Sequence, residues 1–250
     1  MPQKVYGGTS TYGQVVGILM LDSTIPRIPG DPGHAETFPF PVRYEVIQDF
    51  PFQDLVELRS DHISSVIQAA RKLESEGVSI VAADCGLFSL FQQDIANALR
   101  VPFLGSALNL IPFITGFLPA SQKIGLITGD TRLLKSEHLQ AAGADPERLV
   151  ISGMEHSEEF HNVVIQRGNE LDVDNMRKGV VEAAQTLAAS GDSIGAVVLE
   201  CTNLITFRQD VQRVLGAPVF DAVSLIEFFV SGLRLRTFTS EYLSPNRLMR

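Results

Sequence analysis

Tryptophan is absent from the 250 residues of the chain, and cysteine occurs twice, at Cys85 and Cys201. Two cysteines cannot frame a disulfide scaffold, and a structural zinc site would want four closely spaced ligands. The five histidines (His34, His62, His138, His156 and His161) show no i,i+4 pairing with one another or with a cysteine, so no metal is expected. Basic residues are also few. Against 29 Asp and Glu stand 20 Lys and Arg, a net charge of −9 that excludes a protein tracking a phosphate backbone. The uncharged stretch 101–122 is interrupted by Pro102, Pro112 and Pro119, so it reads as strand, turn and buried helix rather than a membrane span. Residues 1–14 are polar and lack the apolar centre of a signal sequence. The expectation is a cytoplasmic chain with reduced cysteines and neither a membrane nor a nucleic-acid partner.

What the chain does contain is enough apolar residue, 45%, to bury a sizeable core. Short β-branched runs at 15–21, 42–47, 78–83, 101–104, 123–128, 149–152, 196–200 and 218–220 predict strands. Amphipathic patterns at 60–76 and 174–190 predict helices, with Gly77 and Gly191 at the stop positions where a left-handed backbone is wanted. Strand–helix alternation of this kind means α/β with mostly parallel sheets.

The chain also repeats itself. Residues 78–114 superpose without a gap on 194–230, a shift of 116 that puts Cys85 on Cys201, Phe91 on Phe207, Asp94 on Asp210 and Pro102 on Pro218. A second match, shifted by 108, lays 16–19 over 124–127 and Asp22-Ser23 over Asp130-Thr131. The period is too long for a solenoid. It predicts two similar open α/β lobes related by a pseudo-twofold axis, with equivalent residues approaching one cleft from opposite sides. The expected division is 1–101 with 217–250 in the first lobe and 102–216 in the second, the chain crossing between them.

Each cysteine falls where a strand ends and a helix begins, the edge at which open α/β sheets bind ligands and where helix-start amides favour thiolate. A redox pair would normally be Cys-x-x-Cys, and a metal would need more ligands. A third use is acid–base chemistry at carbon: one thiolate removes a proton from one face while a thiol delivers one to the other. Strand alternation turns Asp84 and Glu200, which precede the cysteines, the other way, as structural carboxylates. The loop 25–41, with Pro26, Pro29, Pro32, Pro39 and Pro41, is long enough to be a lid or a packing arm, and its Arg27 is either a substrate contact or a surface residue. Phe88, Phe91 and Phe207 are expected in the core.

At these residues the chain resembles a known family. Glu200-Cys201-Thr202-Asn203-Leu204 and Asp84-Cys85-Gly86 look like the two cysteine motifs of the aspartate/glutamate/hydantoin racemase superfamily. The run 16–23, ending in Asp22-Ser23, is similar to the N-terminal strand and turn of glutamate racemases. The resemblance implies an isomerase without cofactor, a homodimer, with Cys85 and Cys201 as the two catalytic bases. It places Asp22, Ser23, Gly86, Asp130, Thr131, Thr202 and Asn203 around a small carboxylated or hydantoin-like substrate. Two departures speak against glutamate: Gly86-Leu87 stand where glutamate racemases have Asn-Thr, and Asn203 stands where they have histidine. A maleate-type cis–trans isomerase using a cysteine nucleophile also fits parts of the pattern, as does a non-catalytic binder of small acids. Arylmalonate decarboxylases, another branch, act with a single cysteine.

Overall fold

A computed structural model describes residue 4 and residues 7–235. The outermost parts of the expected first lobe, 1–3, 5–6 and 236–250, lie outside the described residues. Eight strands form where the β-branched runs predict them: β1 (Val16–Leu21), β2 (Val42–Ile47), β3 (Ile80–Ala83), β4 (Phe103–Leu104), β5 (Lys123–Thr128), β6 (Leu149–Gly153), β7 (Ile194–Leu199) and β8 (Val219–Phe220). They make two parallel four-stranded sheets of the same order, β2-β1-β3-β4 and β6-β5-β7-β8. The duplication is therefore one of structure as well as sequence. After β3 and after β7 the chain enters a 3₁₀ turn, Gly86–Phe91 and Thr202–Phe207, and then a helix, Gln92–Ala98 and Arg208–Leu215. Both turns and both following strands are offset by the 116 positions that align the two cysteines.

Local physics accounts for these elements. Strands buried on both faces read as near-continuous apolar runs, and β3 and β7 are of this kind. The helix Ile63–Ser75 buries Val66, Ala69, Ala70 and Leu73 on one stripe, and Val173–Ala188 buries Met176, Val180, Ala184 and Leu187. Gly77 and Gly191, just beyond these helices, have φ of +91° and +82°, the left-handed geometry that only glycine adopts without strain.

Sheet membership follows the repeat: β4 stays with the first sheet and β8 with the second. A division before residues 102 and 217 thus falls ahead of each of these strands rather than after it. The crossing comes next, because the helix Leu110–Thr115 that follows β4 packs on β5 and β7. One apolar cluster joins the sheets, with Val16, Ile18 and Ile80 from the first and Leu126, Ala196 and Val198 from the second. No described helix is long and apolar enough to cross a membrane.

A buried histidine also ties the halves. His138, fully buried, accepts the Lys135 amide at Nδ1 (2.9 Å), so its proton must sit on Nε2, which donates to the Leu55 carbonyl (2.9 Å). Burial holds its pKa below the usual imidazole value, and both nitrogens are committed in the neutral form. Below about pH 6.5 the unfolded chain takes up this proton before the folded one, so stability falls with further acidification. His138→Leu should lower stability by about 1–3 kcal/mol, since the Leu55 carbonyl loses its donor. It should also flatten the acid limb of a stability–pH curve measured by urea unfolding.

Candidate active site

Both cysteines line a single cavity of about 130 Å³ between the lobes. Each has an extended backbone and opens a 3₁₀ turn, with φ of −140° at Cys85 and −77° at Cys201. Each Sγ accepts the amide two residues on, from Leu87 and from Asn203 respectively. Those amides favour thiolate, as expected. They are outweighed: burial, then the carboxylate of Glu200, pushes both thiols up.

The carboxylates before the cysteines turn inward, contrary to the alternation argument. Both side chains line the cavity, because the strand pleat ends where the chain bends into the 3₁₀ turn. Asp84 accepts the Leu21 amide (3.0 Å) and an Arg27 nitrogen (2.6 Å). Glu200 accepts the Thr128 hydroxyl (2.7 Å) and the Gly129 amide. Leu21 and Gly129 are equivalent under the shift of 108, so the two carboxylates are held alike by their own sheets. They differ in counter-charge. Arg27 bridges Asp84 and Asp31, at 2.6 and 2.8 Å, whereas Glu200 has no cationic partner among the described residues. Desolvation raises Asp84 to about 6 despite the guanidinium, and it raises Glu200 as well.

The proline-rich loop 25–41 is a packing arm. It brings Arg27 and Asp31 into the cleft, where Asp31 is 2% exposed. Asp31 accepts Arg27 and the Gly33 amide on Oδ1 and the Asn203 side-chain amide on Oδ2 (3.0 Å), while the Pro29 carbonyl receives the Thr206 hydroxyl. Arg27 is neither a free substrate ligand nor a surface residue, for its charge is spent between two carboxylates.

Of the residues placed around the substrate by resemblance, Ser23, Gly86, Asp130, Thr202 and Asn203 share the cavity wall with both cysteines. Thr202 donates its hydroxyl to the Asp84 carbonyl, a strut across the lobes. Gly86, its counterpart, lies so close to Glu200 that a Cβ there would meet the Glu200 carbonyl and Oε1 at 2.3 Å. The Asp130 carboxylate is bound by Arg132, which holds it below the usual carboxylate range. Asp22 is on the wall of an adjoining cavity of about 790 Å³, which shares Gln53, Ile165 and Arg167 with the first. Thr131 is turned away, donating its hydroxyl to Glu155 (2.8 Å). Sequence reasoning assigned no site role to Asp31 and Arg167, which come from loops, or to Phe52 and Phe160, which come from short helices without a readable motif. The described residues contain no cluster of three or more His, Cys, Asp or Glu suited to a metal.

The family model for Asp/Glu/Hydantoin racemase matches residues 39–226, three quarters of the chain and both cysteine turns. The chain belongs to that family. Among its relatives is a dimethylsulfoniopropionate lyase of Durusdinium sp. clade D, 30% identical over 228 residues, which cover 87% of this chain and 74% of the relative. The racemase fold is shared with glutamate racemase RacE1 of Bacillus anthracis (15% identity, TM-score 0.58, 88% of this chain and 81% of that one). It is shared equally with allantoin racemase of Klebsiella pneumoniae (16% identity, TM-score 0.56, 91% and 97%). As a member of the racemase superfamily the chain is an enzyme, and an isomerase assignment is consistent with its family; the named relatives include both racemases and a lyase.

Proposed function

We propose that a thiolate in the cleft removes the proton α to the carboxylate of a small zwitterion whose β substituent is cationic and leaves. Dimethylsulfoniopropionate, after which the lyase relative is named, is such a compound. The C–H electron pair forms the new double bond, the C–S pair departs on sulfur, and the proton rests on the thiol, giving acrylate and dimethyl sulfide. The observation that carries this reading is the charge of the inner wall. Asp84 and Glu200 face the cavity against one buried guanidinium, itself already shared with Asp31. A cationic centre suits that wall, and the rings of Phe52 and Phe160 add faces on which a desolvated cation is attracted. A dianion such as maleate meets repulsion from the same carboxylates. Arg167, an exposed residue lining the cavity, has no ion-pair partner among the described residues and offers a counter-charge to the substrate carboxylate.

The equivalence of the two thiols favours a second reading, a cofactor-independent racemase or epimerase of a small amino acid or hydantoin. One experiment separates the two. Dimethylsulfoniopropionate, amino acids, hydantoins and maleate are incubated with enzyme in D₂O and followed by NMR. Acrylate and dimethyl sulfide from the sulfonium compound, lost in Cys85→Ser, are the expected result. Deuterium entry into an amino acid or hydantoin, lost in both cysteine variants and without acrylate, would establish the racemase instead. Change of alkene geometry in maleate, or binding without turnover, would point to the isomerase or the non-catalytic binder. Because burial and Glu200 oppose thiolate, kcat/KM should rise with pH through neutrality and beyond, as a steady-state profile from pH 6 to 9 would show.

A further inference from the structure

We infer that the two thiols have fixed and different tasks: Cys201 is held as a proton donor by Asn203, and Cys85 is the base. The tasks rest on the α-proton chemistry proposed above; the hydrogen-bond direction behind them does not.

The argument starts at Asp31. Its Oδ2 accepts from the Asn203 side-chain nitrogen at 3.0 Å, while its Oδ1 accepts Arg27 and the Gly33 amide. The Asn203 group facing it must therefore be the NH₂, which fixes the orientation of the amide. The amide oxygen is then left facing Cys201 Sγ at 3.7 Å. An amide oxygen accepts and never donates, so this contact exists only while Cys201 carries its proton. Arg27, Asp31, Asn203 and Cys201 thus form one chain of directed hydrogen bonds, anchored by a guanidinium and ending on a thiol.

Nothing equivalent stands beside Cys85. The position matching Asn203 is Leu87, which offers its backbone amide to Sγ but has no side-chain acceptor. The Cys85 proton is therefore unsecured among the described hydrogen bonds. Glu200, the carboxylate without a cation, opposes ionisation of both thiols, and a cationic substrate group lodged against it relieves both; Cys85, with no side-chain acceptor for its proton, is the one free to lose it. Cys85 becomes a base as substrate binds, while Cys201, its S–H committed to the Asn203 amide oxygen, keeps its proton.

Because the sequence has two cysteines, each serine variant leaves one S–H stretch to be read by infrared spectroscopy. The Cys201 band, seen in Cys85→Ser, should lie at lower frequency than the Cys85 band, seen in Cys201→Ser, since only the former is hydrogen-bonded to an amide oxygen. Adding Asn203→Leu should raise the Cys201 band and leave the Cys85 band in place. Asp31→Asn, which frees the amide to turn, should do the same. Equal bands in the two serine variants, or a Cys201 band indifferent to both further changes, would overturn the assignment. The comparison of serine variants alone decides the point if a change at 203 prevents folding. With dimethylsulfoniopropionate, Cys85→Ser should lose activity by about 10³-fold and Cys201→Ser by at least about tenfold less, the former being the loss of a general base. Equal losses would refute the division of tasks. A wild-type enzyme inert towards this compound would sink the substrate reading and leave the infrared result to stand by itself.

Discussion

Arg27→Met is expected to destabilise the protein by about 3–5 kcal/mol, the usual consequence of removing one partner from a buried ionic group. The Arg27 side chain is 15% exposed and its two carboxylate partners 3% and 2%, so solvent cannot take its place. The effect should depend on pH. The folded value of Asp84 is about 6 against 3.8 for an ordinary aspartate, because desolvation exceeds the pull of Arg27. In that window the folded protein binds more protons than the unfolded chain, so this group's contribution weakens as pH rises from about 4 to 6. Without Arg27 the value climbs further, and the charge becomes more costly still. The gap between wild type and variant should therefore be smaller at pH 5 than at pH 8, measured as urea midpoints at both. A gap independent of pH would show that Asp84 does not feel the guanidinium.

Gly86→Val should be almost as damaging, for a steric reason. A Cβ at this position falls 2.3 Å from the carbonyl oxygen of Glu200, which is backbone at the end of β7 and has no rotamer to move into. Overpacking of this kind typically costs about 1–3 kcal/mol. The larger effect is on geometry: the strain acts between the lobes and pushes the two cysteine turns apart. A displacement near 1 Å is commonly worth about 10²-fold in rate. The expected result is a lowered Tm together with kcat/KM down by about that factor. Combining it with Glu200→Ala should restore little stability, because the carbonyl remains in place. Full recovery in the double variant would mean that the side chain, not the backbone contact, demands glycine.

The parts of this molecule that were legible in the sequence are those set by local periodicity. The eight strands and the two long helices follow from the spacing of apolar residues, and the paired cysteines follow from the repeat that spacing belongs to. The inward turn of Asp84 and Glu200 was not legible, since strand alternation stops applying once the strand ends and both sit one residue beyond it. Asp31 was hidden for a different reason. Its partner Asn203 lies 172 positions away, and no local pattern ties a loop aspartate to a turn in the other lobe. Thr131 shows the limit of repeat logic: it superposes on Ser23, yet a glutamate after β6 captures its hydroxyl. A division at 102 and 217 separates β4 and β8 from the sheets they join, because two-residue strands carry too little sequence to show their partners.

The two connections from the first to the second strand of each half are of equal length and unlike construction. The one from β5 to β6 contains the helix Ser136–Ala141, and its aspartate binds an arginine two residues away. The one from β1 to β2 is irregular, contains several prolines, and brings Arg27 to Asp84 of its own lobe and Asp31 to Asn203 in the turn that follows the far lobe's cysteine. The asymmetry inferred above between the two thiols therefore depends in part on a segment that contains neither of them. Exchanging that segment between family members is a route to reassigning donor and acceptor with both thiols untouched.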